Sequence, residues 1–482
     1  MDTAELRQLK PMLQRYLKRF EDCFSRESTR GHLPVYVQGQ LSDLPEKTVA
    51  PIAVQAGVAP RTLQEFLSLL RWDENRMRDR LEQIVASEHA GPPAVGLLDE
   101  TSFVKKGEKT PGVKRQWCGT VGKEENCIVT VHLGYAQQEF HCLLDGELYL
   151  PEDWAADRQR CREAGIPEEI TYRPKWQIGL ELLDRAAANG VHFDWLTFDE
   201  GYGGKPAFLQ ALGDRHQDFI GEVPRSFTGW IDPPPVAHRP YRKARGRGRK
   251  SPRLRADSRK ARSVRWLLDH HPALREQAWQ RWRVKDGQKG PMLWEVKHGP
   301  FYPKAGRLPL GEHHLVVARN VLDPKEIKFF VGKALSKTSV STWLLAAFSR
   351  WHVERCFQDG KGKVGLDHYE GRRYVGLKRH LAISAVSYLF LASVAQSWAE
   401  KKPGDHDQPS TDRDSSDGPF LVVGQPGPVQ AHRQDPRDPP PQATRGGQGP
   451  PQPHQTHTTN TPRIRHQTHP DPMLRLGHKL AL

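Results

Sequence analysis

The 482-residue chain carries 72 Lys and Arg against 57 Asp and Glu, a formal charge of +15. That surplus makes a polyanion, nucleic acid first, the expected partner, and the length allows two or three domains. Six scattered cysteines without a C-x-x-C pair argue against a zinc module or disulfide framework, and the N-terminus lacks a signal-peptide pattern, so a cytoplasmic, nucleoid-associated protein is expected.

Residues 1–90 read as helical, with Leu6, Leu9, Leu13 and Leu17 at helical spacing. Within them, Ile52 to Leu67 gives a short helix, a turn at Gly57 and a second helix opening near Pro60. This is a helix-turn-helix pattern in which Arg61, Thr62 and Gln64 would face bases. A helical hairpin that merely packs is the plainer alternative.

From residue 91 to 223 the pattern changes to α/β. Strands are expected at Ala94–Asp99, Gln116–Val121, Cys127–Leu133 and Glu139–Leu150, followed by a helix at Lys175–Ala188. A strand at Phe193–Asp199, a helix at Lys205–Leu212 and a strand at Asp218–Val223 complete the run. Strands, helix, strand, helix, strand is the order of a ribonuclease H-like fold. Residues 224–338 read as a basic, β-rich insertion forming a small domain. It opens with twelve cations between Arg242 and Arg265, including Arg245, Arg247, Arg249 and Lys250, against one anion, Asp257. Such a run suits phosphates, although a solvated linker has the same composition. One of Trp266, Trp279, Trp282 and Trp294 would stack on an unpaired base, or all would pack in a core.

Residues 339–400 return to the catalytic domain. Val340, Trp343, Leu344, Ala347 and Trp351 give a helix over 339–359 its apolar face, with Arg350 and Glu354 four apart and Lys361 seven further, at or past the helix end. Leu381 to Trp398 looks membrane-like, but its serines and Gln396 favour a buried helix, and no membrane partner is expected. The tail, residues 401–482, has fifteen prolines and few apolar residues, so it is expected to be disordered.

Two aspartates close apolar runs, Asp99 the run Ala94–Leu98 and Asp199 the run Phe193–Phe198, and Glu354 stands between Arg350 and Lys361. Three carboxylates are the working minimum for two hard divalent cations. Glu100 and Glu200 are rivals that strand alternation turns to the opposite face, Asp194 lies at the start of its strand, and Asp359 and Asp367 are fallbacks for Glu354.

The runs Leu98–Phe103, Phe198–Gly203 and Arg350-x3-Glu354-x6-Lys361, with Gly365–Glu370 following, resemble bacterial insertion-sequence transposases of the DDE class over roughly residues 10 to 398. One departure is Ala347, which stands where related signatures place Tyr three residues before the Arg. The resemblance implies a transposase that cleaves transposon ends and joins them to target DNA. Asp99, Asp199 and Glu354 would hold two Mg²⁺, with Mn²⁺ able to substitute, while Arg350 and Lys361 clamp phosphates. Its partners would be double-stranded DNA, terminal inverted repeats and target DNA, with a homodimer in the synaptic complex. A helix-turn-helix regulator without cleavage, or a ribonuclease H-like nuclease without strand transfer, are the alternatives.

Overall fold

The computed structural model describes residues 3–237, 252–287 and 290–401. The basic-run residues Arg245, Arg247, Arg249 and Lys250, and the tail from residue 402, lie outside the described residues.

A mixed sheet forms the centre. Strands β1 (Val95–Val104), β2 (Lys114–Cys118), β3 (Lys123–Gln137) and β4 (Phe140–Tyr149) are antiparallel, with β1 on one side of β3 and β2 and β4 on the other. Strands β5 (Trp195–Phe198) and β6 (Phe219–Val223) then add in parallel beside β1. Leu97 and Leu98 point to opposite faces and are both buried, as a near-continuous apolar run requires of a central strand.

The apolar run predicts a strand closing at Asp99. Instead β1 continues five residues further, because β3 supplies a ladder partner for every residue from Val95 to Val104. The run 339–359 also departs from a single helix. It forms Val340–Phe348 and Trp351–Val364, broken where Ser349 turns its hydroxyl back onto the Leu345 carbonyl at 2.7 Å. Lys361 therefore lies inside the second helix, which ends only at Gly365, whose φ of +67° suits the left-handed cap.

The insertion's strands do not stand apart as a small domain. Ile327–Lys333 pairs antiparallel with β6, and His313–Asn320 and Gly290–Ala305 extend the same sheet. Without them β6 would present an open edge.

Helices cover both faces. Lys175–Ala188 approaches β1 at Gly179, where a Cβ would stand 2.7 Å from Leu98. Trp351–Val364 lies on the other face, burying Val353, Cys356 and Phe357, with the Phe357 ring edge-on to His132 of β3 at 5.5 Å. Burying a ring such as Phe357 contributes about 1.5–3 kcal/mol. The C-terminal helix Tyr374–Lys401 is apolar and long enough to cross a membrane, yet 72% of its most apolar window is buried in the protein. It packs between β4 and the N-terminal helices.

Those N-terminal helices share the core of the sheet domain. Arg379, on the C-terminal helix, donates to the carbonyls of Phe66, Leu67, Leu70 and Trp72, pairs with Glu74 at 3.3 Å and stacks over Trp72. It thereby satisfies the carbonyls left over where helix Pro60–Ser68 ends. Tyr36 meets His380 at 3.0 Å, and Gln40 bonds Ser384 and Ser387 at 2.8 Å each.

Candidate active site

Asp99 and Asp199 come together because β1 and β5 run parallel in register. Leu98 pairs with Phe198, so the next residue on each strand is a carboxylate, about one strand spacing from the other. Asp199 caps the short helix Glu200–Gly203, accepting from the backbone N–H groups of Gly201 at 2.9 Å and Tyr202 at 3.3 Å. That capping fixes the carboxylate where the strand turns into the helix.

The Asp99 side chain is 13% exposed, and Oδ1 accepts from the Glu100 N–H at 2.7 Å. Burial pushes its carboxyl up to about 7, Asp199 pushes the same way, and Arg350 opposes both. Two carboxylates in a partly dry site repel each other, which is the condition a cation relieves.

Arg350 reaches Asp99 from the start of helix Trp351–Val364. One guanidinium nitrogen lies 3.0 Å from Asp99 Oδ2 and another 3.3 Å from Glu354 Oε1. Glu354, one turn along that helix, is thus linked to the aspartates through Arg350 and remains 68% exposed. Among the described residues no three acids, histidines or cysteines stand close enough to ligate one ion, since Arg350 bridges the aspartate pair and Glu354.

Lys361 is anchored further along β1. Its ammonium donates to the Ser102 carbonyl at 3.2 Å and to Thr120 Oγ1 at 2.8 Å, and burial lowers its pKa. Two of its three donors are thus occupied.

The rival acids lie elsewhere. Glu100 does turn to the opposite face, where it pairs with Lys175 and accepts from the Tyr202 hydroxyl at 3.2 Å. Glu200 is exposed, and Asp194 accepts from the Ala94 N–H at 2.7 Å at the start of the strands. Asp359 is buried against Arg355 at 2.9 Å, and the Asp367 carbonyl accepts from Lys105. Arg61 and Gln64 lie on the exposed face of Pro60–Ser68, with Arg61 paired to Glu65 at 2.6 Å, away from the acids in sequence and fold. Of the four tryptophans, Trp294 is buried and Trp266 is the exposed one, held under Arg262 and stacked on His270 at 4.7 Å.

Reading the residues alone passed over three neighbours of these side chains. Tyr202, three residues after Asp199, is buried with its hydroxyl among Glu100, Asp99 and Asp199. His132 stands opposite Asp99 on β3, kept neutral by burial, which lowers it to about 3. Thr120 holds Lys361. Tyr202 stands within the run Phe198–Gly203, whereas the other two are set by strand pairing that no local pattern reports.

The sequence pattern of the DDE superfamily endonucleases matches residues 19–291. That is more than half of the chain. The chain belongs to the DDE superfamily endonucleases. The matched span contains Asp99 and Asp199 and stops before Glu354. A probable transposase for insertion sequence element IS701 from Microchaete diplosiphon is 33% identical over 187 residues, 38% of this chain and 46% of that protein. The chain thus spans about half the length of this curated relative.

Proposed function

We propose that this endonuclease is a DNA transposase that cuts the ends of its own element and joins them to target DNA, using Asp99, Asp199 and Glu354. What carries the reading is the convergence of two aspartates, a hundred residues apart in sequence, on parallel strand ends, bridged through Arg350 to a glutamate on a third element.

The donor set is oxygen only and partly dry, which suits hard cations such as Mg²⁺, with Mn²⁺ able to replace it. When bound, a pair of such ions supplies an activated water or 3′-hydroxyl and stabilises the leaving oxygen. The chain's residues do the rest. Asp99 and Asp199 fix the ligand positions from rigid strand ends, and Asp99 must lose its proton to serve. Glu354 swings in from the exposed turn of its helix as Arg350 exchanges a carboxylate for a scissile-strand phosphate. Lys361 directs its remaining donor to a neighbouring phosphate. Helices Val49–Gln55 and Pro60–Ser68 present Arg61 and Gln64 to the terminal inverted repeat, and the basic run around Arg245, Arg247, Arg249 and Lys250 contacts the backbone. The ends pair in a homodimer.

The clustered acids favour catalysis over a regulator that only binds. A strand-transfer assay with end-bearing duplex and supercoiled target separates the remaining readings. Joined products support a transposase; metal-dependent nicks with no joined product make it a nuclease, and binding without nicks makes it a regulator.

A further inference from the structure

Beyond the acids, the end of β1 opens into a second basic feature. A cleft of about 820 Å³ lies between β2, the start of β3, the short helix Arg158–Ala164 and the loop before the C-terminal helix. Lys109, Lys114, Arg115, Arg160, Arg372 and Arg373 line it against two acids, Glu108 and Glu163. Two of the cations are committed, Lys114 to Asp153 at 3.0 Å and Arg160 to the face of Trp154 at 3.7 Å. Arg115, Arg372 and Arg373 are exposed and pair with no carboxylate among the described residues.

The cleft is held rigidly relative to the acids. Lys105, the residue after β1, donates to the carbonyls of Asp367 and Tyr369 and so docks the loop that carries Arg372 and Arg373. Asn126, paired with Arg115 across β2 and β3, bonds the carbonyls of Lys105 at 2.7 Å and Gly107 at 3.0 Å. Trp154 bonds the Val113 carbonyl at 2.7 Å and fixes the far wall.

Cations therefore recur in one direction along β1: Arg350 at Asp99, Lys361 at Ser102, and then the cleft, where Arg115 lies level with Lys105 on the far side of β3 and Arg372 and Arg373 follow the loop that Lys105 holds. At about 3.3 Å per strand residue, Lys361 stands roughly 10 Å and the arginines roughly 20 Å from Asp99. With 3.4 Å between successive phosphate levels of a duplex, roughly 20 Å is about six nucleotide steps.

We propose that Arg115, Arg372 and Arg373 bind the phosphate backbone of duplex DNA about six nucleotides to one side of the scissile phosphate. The cleft offers charge and no readable surface, since Trp154 is buried beneath Arg160 and presents no free ring for an unpaired base. It therefore positions the duplex flank without reading its sequence. This rests on the assignment of the acids as the cutting site.

The test compares the full chain with an R115Q/R372Q/R373Q variant for binding an end-bearing duplex without divalent ions, across a salt series. Each lost phosphate contact removes about 0.9 from the slope of log K against log salt, so the slope should flatten by about 2–3. Single methylphosphonate substitutions five to seven nucleotides from the mapped cut, on one side, should weaken the wild type and leave the variant unaffected. On a duplex trimmed to about three base pairs on that side, the two proteins should bind alike. An unchanged slope, an equal loss on the trimmed duplex, or the same loss on single-stranded DNA overturns the proposal. A wild type that cuts and joins ends while the slope stays unchanged overturns this inference alone. A wild type that binds no end-bearing duplex overturns the transposase reading with it.

Discussion

Asp99→Asn should make the metal-free protein more stable at neutral and alkaline pH while removing its activity. Burial and Asp199 raise the Asp99 carboxyl from an ordinary 3.8 to about 7. In the unfolded chain the group ionises near 4, so between about pH 4 and 7 the folded state holds a proton that the unfolded state has released. Stability from this group is therefore fully present below pH 4, falls as the pH rises to about 7, and is flat above. The ceiling is about 4 kcal/mol, from 1.36 kcal/mol for each tenfold change in proton affinity. Asparagine keeps the shape and can still accept from Arg350, so it should recover about 2 kcal/mol or more of that at pH 8 and almost none at pH 4. Urea unfolding of both proteins in chelator across this range measures the gap, and added Mg²⁺ should narrow it by stabilising only the wild type. A variant no more stable than wild type at pH 8 would refute the claim that Asp99 and Asp199 form a strained pair.

Arg350 is the group that lowers Asp99, so Arg350→Ala should move the acid limb of the cleavage pH profile to higher pH; an unmoved limb would separate Arg350 from the site. Lys361→Met should cost about 1 kcal/mol through its lost bonds to Ser102 and Thr120 and cut the cleavage rate at least tenfold. Thr120→Val should show a similar stability loss by thermal unfolding while keeping most of the cleavage. Arg379→Met leaves Glu74 and the Leu67, Leu70 and Trp72 carbonyls without their donor, while the Phe66 carbonyl keeps the Trp72 indole N–H, and should destabilise the fold by about 3–5 kcal/mol, seen as a large drop in melting temperature. A drop of only a degree or two would mean that the N-terminal helices are held mainly by their apolar contacts.

The strand cores and the aspartates that follow them were legible because a central strand must be apolar on both faces, and the first polar residue after it stands out. The same rule misplaced the end of β1. Glu100, Thr101 and Ser102 look like loop residues, yet β3 reaches across to pair with them, and long-range pairing leaves no local trace. Arg350 and Glu354 were legible as one helical stripe, but the break at Ser349 that swings Arg350 onto Asp99 was not. The insertion's strands were readable as strands. Their union with β6 was not, since it depends on which edge is left open. Leu381 to Trp398 shows the converse case: its composition suits a membrane, and its serines, two of which bond Gln40, reveal a helix buried in protein.

The most direct test of the three-acid site measures Mg²⁺-dependent cleavage and binding of end-bearing DNA by wild type, Asp99→Asn, Asp199→Asn, Glu354→Gln and Asp367→Asn. The account predicts that the first three variants bind nearly as tightly as wild type and cut nothing, because each amide keeps its shape and loses the charge that holds the ion. Asp367→Asn should cut. Normal cleavage by any of the first three would remove that residue from the site, and an active Glu354→Gln beside a dead Asp367→Asn would contradict the placement of the third acid.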